Sequence, residues 1–147
     1  MRIVVLVGLP GSGKSTYLDH VAPSGGGLSS DAVRRLLADD ETDQSIHVQV
    51  FQTLRYLLEQ RLAIARTVTY IDATNLTPEE RRPYLEIGRK WNCEVEAVFL
   101  DVPLEVCRER NAARPRKVPD EALAKMAAKL VPPSLEEGFA RISLVRE

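Results

Sequence analysis

Cysteine is nearly absent from this chain: two residues in 147, Cys93 and Cys107, with no C-x-x-C spacing. That excludes a disulfide framework and a zinc ribbon, and leaves both thiols as small buried hydrophobes. Histidine is as scarce, and His20 and His47 lack metal-ligand spacing, so neither receives a role. No run approaches the roughly 18 uninterrupted apolar residues of a membrane span. The apolar stretch after Met1-Arg2 is too short for a signal peptide, so a cytoplasmic chain with no membrane partner is expected. A net charge of −1 excludes a protein that coats nucleic acid over a long footprint, though not one with a short footprint. Aromatics make up 5%, and Tyr17, Phe51, Tyr56 and Trp91 read as core or partly buried rings, not as a base-stacking platform. Repeats and low-complexity segments are missing too.

What remains is the size of one globular domain, 1–147, 44% hydrophobic and 28% charged, long enough to bury a core. Its strongest signal lies near the start. Gly8, Gly13, Lys14 and Ser15 fill the fixed positions of G-x-x-x-x-G-K-[ST], and the run Ile3-Val4-Val5-Leu6-Val7 feeds directly into them. Glycines let the backbone wrap a polyphosphate with N–H groups inward, and the following helix offers its positive dipole end. Gly11, Ser12, Gly13, Lys14, Ser15 and Thr16 are therefore the candidate nucleotide contacts, with Lys14 on the β/γ-phosphates and the Ser15 hydroxyl on Mg²⁺.

Strand and helix signals alternate after the loop. Helices are expected from Ser15 to about Val21 and from Asp31 to Ala38, the second capped by Ser30 or Asp31 and bearing Val33, Leu36 and Leu37 on one side. A brief strand at Leu28-Ser29-Ser30 separates them. Apolar residues recur at helical steps between Gln44 and Arg66, and Thr67 to Ala73 reads as a strand ending near a carboxylate. Thr77-Pro78-Glu79-Glu80 is a capping box opening a helix to about Trp91. A strand at Val95 to Leu100, a helix from Pro103, a helix from Pro119 to Leu130 and a strand at Ala140 to Val145 complete an α/β chain. Its sheet is parallel, with helices on both faces.

Several side chains fit phosphoryl transfer, which asks for positioning and charge neutralisation. Asp72 closes its strand as a Walker B carboxylate does, orienting metal-bound water near Ser15, or it simply caps the Asp72-Ala73-Thr74-Asn75 turn. Asp31 and Arg34, three apart at a helix start, project from one face as a base and a clamp, or serve as an N-cap and a solvated charge. A carboxylate suffices as base because a loose transition state needs the attacking hydroxyl oriented more than deprotonated early. Arg108, Arg110, Arg114, Arg116 and Lys117 lie before and within an exposed, mobile connector over 111–118, and form either a solvated basic face or a lid.

Taken together, these residues resemble the P-loop 5′-hydroxyl polynucleotide kinases, in particular the kinase module of bacterial polynucleotide kinase-phosphatase RNA-repair enzymes. The likeness runs through residues 8–16, Ser29-Ser30-Asp31 with Arg34, residues 39–45, Asp72-Ala73-Thr74-Asn75 and Val106-Cys107-Arg108-Glu109-Arg110-Asn111, ending near Glu137-Gly138-Phe139. It implies a P-loop NTPase fold of the adenylate-kinase-like kind with an Arg-rich lid, and ATP or another NTP with Mg²⁺ as cofactors. It implies Asp31 as general base for the 5′-OH end of DNA or RNA, Arg34 on the acceptor near its first phosphate, and Gln44 framing the acceptor pocket. Arg110 would be the lid arginine on the donor phosphates, with Arg114 beside it. Those relatives carry phosphatase or ligase domains for which this chain has no room, so a stand-alone kinase or an excised domain is expected; a homo-oligomer is compatible with either. A small-molecule P-loop kinase (sugar, metabolite or antibiotic) uses the same parts and is the alternative, ahead of a non-catalytic nucleotide-binding module.

Overall fold

Along the first strand, β1 (Arg2–Val7), Ile3, Val5 and Val7 face one layer of side chains while Val4 and Leu6 face another, and all five are buried. A strand apolar on both faces belongs at the centre of a parallel sheet covered on both sides. In the computed structural model, which describes residues 1–115 and 118–146, it sits there. The other strands are β2 (Gly27–Ser29), β3 (Val68–Asp72), β4 (Glu94–Leu100) and β5 (Arg141–Val145). All neighbours pair in parallel in the order β2-β3-β1-β4-β5.

Among the described residues, six α-helices connect them: α1 (Lys14–Val21), α2 (Ser30–Ala38), α3 (His47–Ala63), α4 (Pro78–Trp91), α5 (Leu104–Ala112) and α6 (Asp120–Lys129). Leu54, Leu58 and Leu62 of α3 and Tyr84, Leu85 and Ile87 of α4 pack against Ile3, Val5 and Val7. Tyr17 and Leu18 of α1 pack against Val4 and Leu6 on the opposite face. A third cluster joins Leu9 of the glycine loop to Leu76, Val102, Cys107 of α5 and Leu123 of α6. That cluster anchors the loop from beneath.

Two buried ionic groups tie the C-terminal part to this frame. Glu96, in the middle of β4, accepts from Arg2 at 3.0 Å and Arg141 at 3.3 Å, linking three strands. Arg81, fully buried in α4, donates to both oxygens of Glu137 at 2.8 and 3.0 Å and to the carbonyls of Asn75 and Val131. Burial alone would raise the Glu137 carboxyl, but hydrogen bonds from Arg81 and Ser134 outweigh it and hold the group below its ordinary value.

The capping box at Thr77 and Glu80 forms with both reciprocal bonds, at 3.2 and 3.1 Å. Some expectations need correction. Helix α3 begins at His47, not Gln44, because Asp40 and Asp43 each bind the backbone N–H and hydroxyl two residues ahead and fold 40–45 into Asx turns. On α2 only Val33 of the three apolar side chains is buried; Leu36 and Leu37 lie outside the stripe made by Ser30, Val33 and Arg34. Tyr56 is exposed, on the side of α3 away from its buried leucines, and Cys93 is only half-buried, whereas Cys107 is fully buried. No helix among the described residues is long and apolar enough to cross a membrane.

Candidate functional site

The loop between β1 and α1 owes its shape to glycines in backbone conformations other residues avoid. Gly11 has φ 84° and Gly13 φ 99°, Gly13 serving as the N-cap of α1. A Cβ on Gly11 would meet the Cys107 carbonyl at 2.7 Å, so α5 packs directly on the loop backbone. The loop is further stitched to the segment after β3: Gly8 N–H donates to the Thr74 carbonyl at 3.0 Å. Asn75, buried with φ 48°, donates to the Leu6 carbonyl at 2.7 Å.

Lys14 Nζ donates to the carbonyls of Gly8 and Leu9, both at 2.9 Å. Burial lowers its ammonium from 10.5 to about 8, against the opposing pull of Asp72 and Asp31. Asp72, the last residue of β3, is raised by its own burial, with Lys14 pulling it down and Asp31 pushing it up. The three groups therefore share one electrostatic environment. Ser15, on the first turn of α1, lines the same cleft as Asp72, which suits a cation held jointly with phosphate oxygens. Among the described residues no three His, Cys, Asp or Glu side chains gather into a self-sufficient metal site, so the remaining ligands would come from nucleotide and water. Ser12 Oγ is buried without a hydrogen-bond partner and packs against Gly8, where a Cβ would stand 2.5 Å from it.

Ser29, not Ser30 or Asp31, caps α2, accepting from Ala32 N–H at 3.2 Å. Asp31 is thereby free of the capping duty and exposed to the cleft, where it accepts from Arg34 Nη1 at 3.3 Å. Arg34 is no solvated surface charge: its side chain is 6% exposed, and its Nε is buried without a hydrogen-bond partner. A buried guanidinium with an unspent donor on a cleft wall is suited to an anion.

Arg110 of α5, Arg114 and Val118 line the same cleft. Arg110 Nη1 donates to the Gly11 carbonyl at 3.2 Å, so this arginine rests on the phosphate loop. Arg114 is exposed and lies near enough to Lys14 to lower its ammonium. Arg108 turns away to pair with Asp120 at 2.9 Å. Arg116 and Lys117 lie outside the described residues. Asn111, buried at the end of α5, exchanges two hydrogen bonds with the Val118 backbone at 2.6 and 3.0 Å and closes the neck of this connector. Its role had no signal in the sequence beyond its place at a helix end.

Lys14, Ser15, Asp31, Arg34, Gln44, Asp72, Arg110 and Arg114 all line a single open cleft of about 1180 Å³ at the C-terminal edge of the sheet. Gln44 sits there in a loop, just before α3. The parallel sheet with its glycine loop and facing basic residues defines a P-loop kinase fold. A family model described as an AAA domain matches residues 3–133, and the chain belongs to that family. The chain is 25% identical over 138 residues to the L-seryl-tRNA(Sec) kinase of Methanococcus maripaludis, spanning 89% of this chain and 53% of the relative. It is 26% identical over 149 residues to the bifunctional polynucleotide phosphatase/kinase of Schizosaccharomyces pombe, spanning 98% of this chain and 33% of the relative. The chain thus spans about half the length, or less, of these curated relatives. Among solved structures, an unliganded sugar kinase from Janibacter sp. HTCC2649 superposes with a TM-score of 0.71 at 23% identity, covering 99% of this chain and 85% of that one.

Proposed function

We propose that this chain is an ATP-dependent kinase that transfers the γ-phosphate to the 5′-hydroxyl end of DNA or RNA. One observation carries the reading: the buried Arg34, with its unpartnered Nε, presents Asp31 to the cleft that Lys14 and Ser15 enter from the other side. A hydroxyl flanked by an anion is the acceptor such a pair recognises, and the first internucleotide phosphate supplies that anion. The polynucleotide phosphatase/kinase relative is consistent with this acceptor.

In the reaction the 5′-oxygen forms a bond to the γ-phosphorus while the bond from that phosphorus to the β,γ-bridging oxygen breaks, and the hydroxyl proton passes to an Asp31 carboxylate oxygen. Asp31 aims the nucleophile; Arg34 fixes the acceptor phosphate; Lys14 and Arg110 offset charge growing on the transferred group and the leaving diphosphate. Ser15 and Asp72 would hold Mg²⁺, which would supply charge neutralisation for the phosphoryl transfer. A short footprint of one or two nucleotides goes with a chain of net charge −1.

A second reading, a small-molecule hydroxyl kinase, draws support from the sugar-kinase structure, which this chain matches over nearly its full length. Incubation with γ-labelled ATP, a 5′-hydroxyl oligonucleotide, its 5′-phosphorylated control and a panel of small alcohols separates the two. Label on the 5′-hydroxyl oligonucleotide alone is expected. Label confined to small alcohols would transfer the assignment to the second reading.

A further inference from the structure

Helix α3 carries a second stripe that the core does not use. Val50, Leu54, Leu58 and Leu62 bury one face, whereas His47 and Phe51 line the cleft that Asp31 and Arg34 also line. His47 is exposed in the first turn, and Phe51 is half-buried beneath it. Their rings form a tilted pair with centroids 4.7 Å apart and planes at 45°. A supported aromatic ring at the mouth of the acceptor side has the form of a stacking platform, and every nucleobase has a π-face to lay on it.

We infer that His47, backed by Phe51, stacks the 5′-terminal nucleobase of the acceptor and so makes the site selective for a base-bearing end. The inference rests on the polynucleotide reading above and narrows it. A sugar or other aliphatic alcohol offers no such face, so the ring pair would discriminate between acceptor classes that Asp31 and Arg34 treat alike. His47 is a positioning residue here: it touches the base, away from the reacting oxygen.

Two oligonucleotides of one sequence, one ending in an ordinary 5′-hydroxyl nucleotide and one in a 5′-hydroxyl abasic residue, test this with the intact chain. The wild type is expected to prefer the base-bearing end by about tenfold in kcat/KM, as aromatic stacking on a base implies. His47→Ala should erase that preference, and His47→Tyr should keep it. A wild type that phosphorylates both ends equally well overturns the stack while leaving the polynucleotide reading in place. A His47→Ala variant that keeps the preference overturns it too. Transfer to neither oligonucleotide overturns both.

Discussion

Arg34 Nη1 lies 3.3 Å from Asp31 Oδ1, joining a side chain that is 6% exposed to one that is 65% exposed. The buried partner holds the exposed one in place, three residues back on the same helix. Removing Asp31 therefore removes a functional group without opening the core. Asp31→Ala should lower kcat by about 10² to 10⁴-fold, the usual worth of a positioned acid or base, with ATP affinity nearly intact. Single-turnover transfer and equilibrium nucleotide binding on the same variant check it; near-full activity would remove Asp31 from the reaction.

Arg110 touches the loop that Lys14 opens into, through the Gly11 carbonyl. In the proposed reaction its guanidinium meets charge that grows on the donor phosphates. Arg110→Ala should cost about 10³-fold in kcat, and Arg110→Lys should recover only part, since a point charge lacks the planar fork. Steady-state kinetics on both variants provide the comparison.

Lys14 titrates at about 8 where a free lysine titrates at 10.5, because burial disfavours its charge. Phosphates need the ammonium form, so nucleotide affinity should fall about fivefold between pH 8 and pH 9 as the unliganded protein loses that proton. The linkage to folding runs the other way. The unfolded chain keeps the proton to higher pH, so the contribution of Lys14 to stability without nucleotide becomes more favourable between about pH 8 and pH 10.5. Calorimetric titrations and thermal melts across that range should move in opposite directions.

Gly11 combines φ 84° with a Cβ position 2.7 Å from the Cys107 carbonyl. Gly11→Ala has both a strained backbone and a backbone clash to relieve, so either the loop or α5 must shift. We expect a loss of roughly 1–3 kcal/mol in stability together with weakened nucleotide binding. Denaturant unfolding with and without ATP measures both.

Behind the cleft lining, Arg81 and Glu137 form a bidentate pair that fastens the turn at Leu135–Glu137 to α4 and, through the Asn75 carbonyl, to the segment after β3. Arg81→Ala strands a carboxylate beside a buried hole and should cost about 3–5 kcal/mol. Glu137 sits below its ordinary 4.5, so its contribution is present above pH 4.5 and is lost as pH falls through the lowered value. Glu137→Gln should lack that part of the acid-induced loss in a melt series.

The sheet and the loop were legible because both depend on local pattern: an apolar run into G-x-x-x-x-G-K-[ST], and capping chemistry at Thr77 and Glu80. Asp31 and Arg34 were legible as a pair, but not as a buried guanidinium joined to an exposed carboxylate, because the burial of Arg34 depends on α2 packing against α3. The sequence pattern placed the cap of α2 one or two residues late, since Ser29, Ser30 and Asp31 all have capping chemistry and only the exit angle of β2 chooses among them. Arg81, Asn75 and Asn111 carry no periodic signal; each acts through carbonyls brought near by tertiary folding. Helical spacing alone does not say that the stripe of α3 with His47 and Phe51 borders the cleft.

The central claim, a terminal polynucleotide hydroxyl as acceptor, is tested most directly by comparing kcat/KM for a 5′-hydroxyl oligonucleotide with that for gluconate and other small alcohols under one set of ATP and Mg²⁺ conditions. The account predicts efficient transfer to the oligonucleotide, abolished by Asp31→Ala and by prior 5′-phosphorylation of the end. Efficient transfer to a small alcohol, with none to the oligonucleotide, would contradict it.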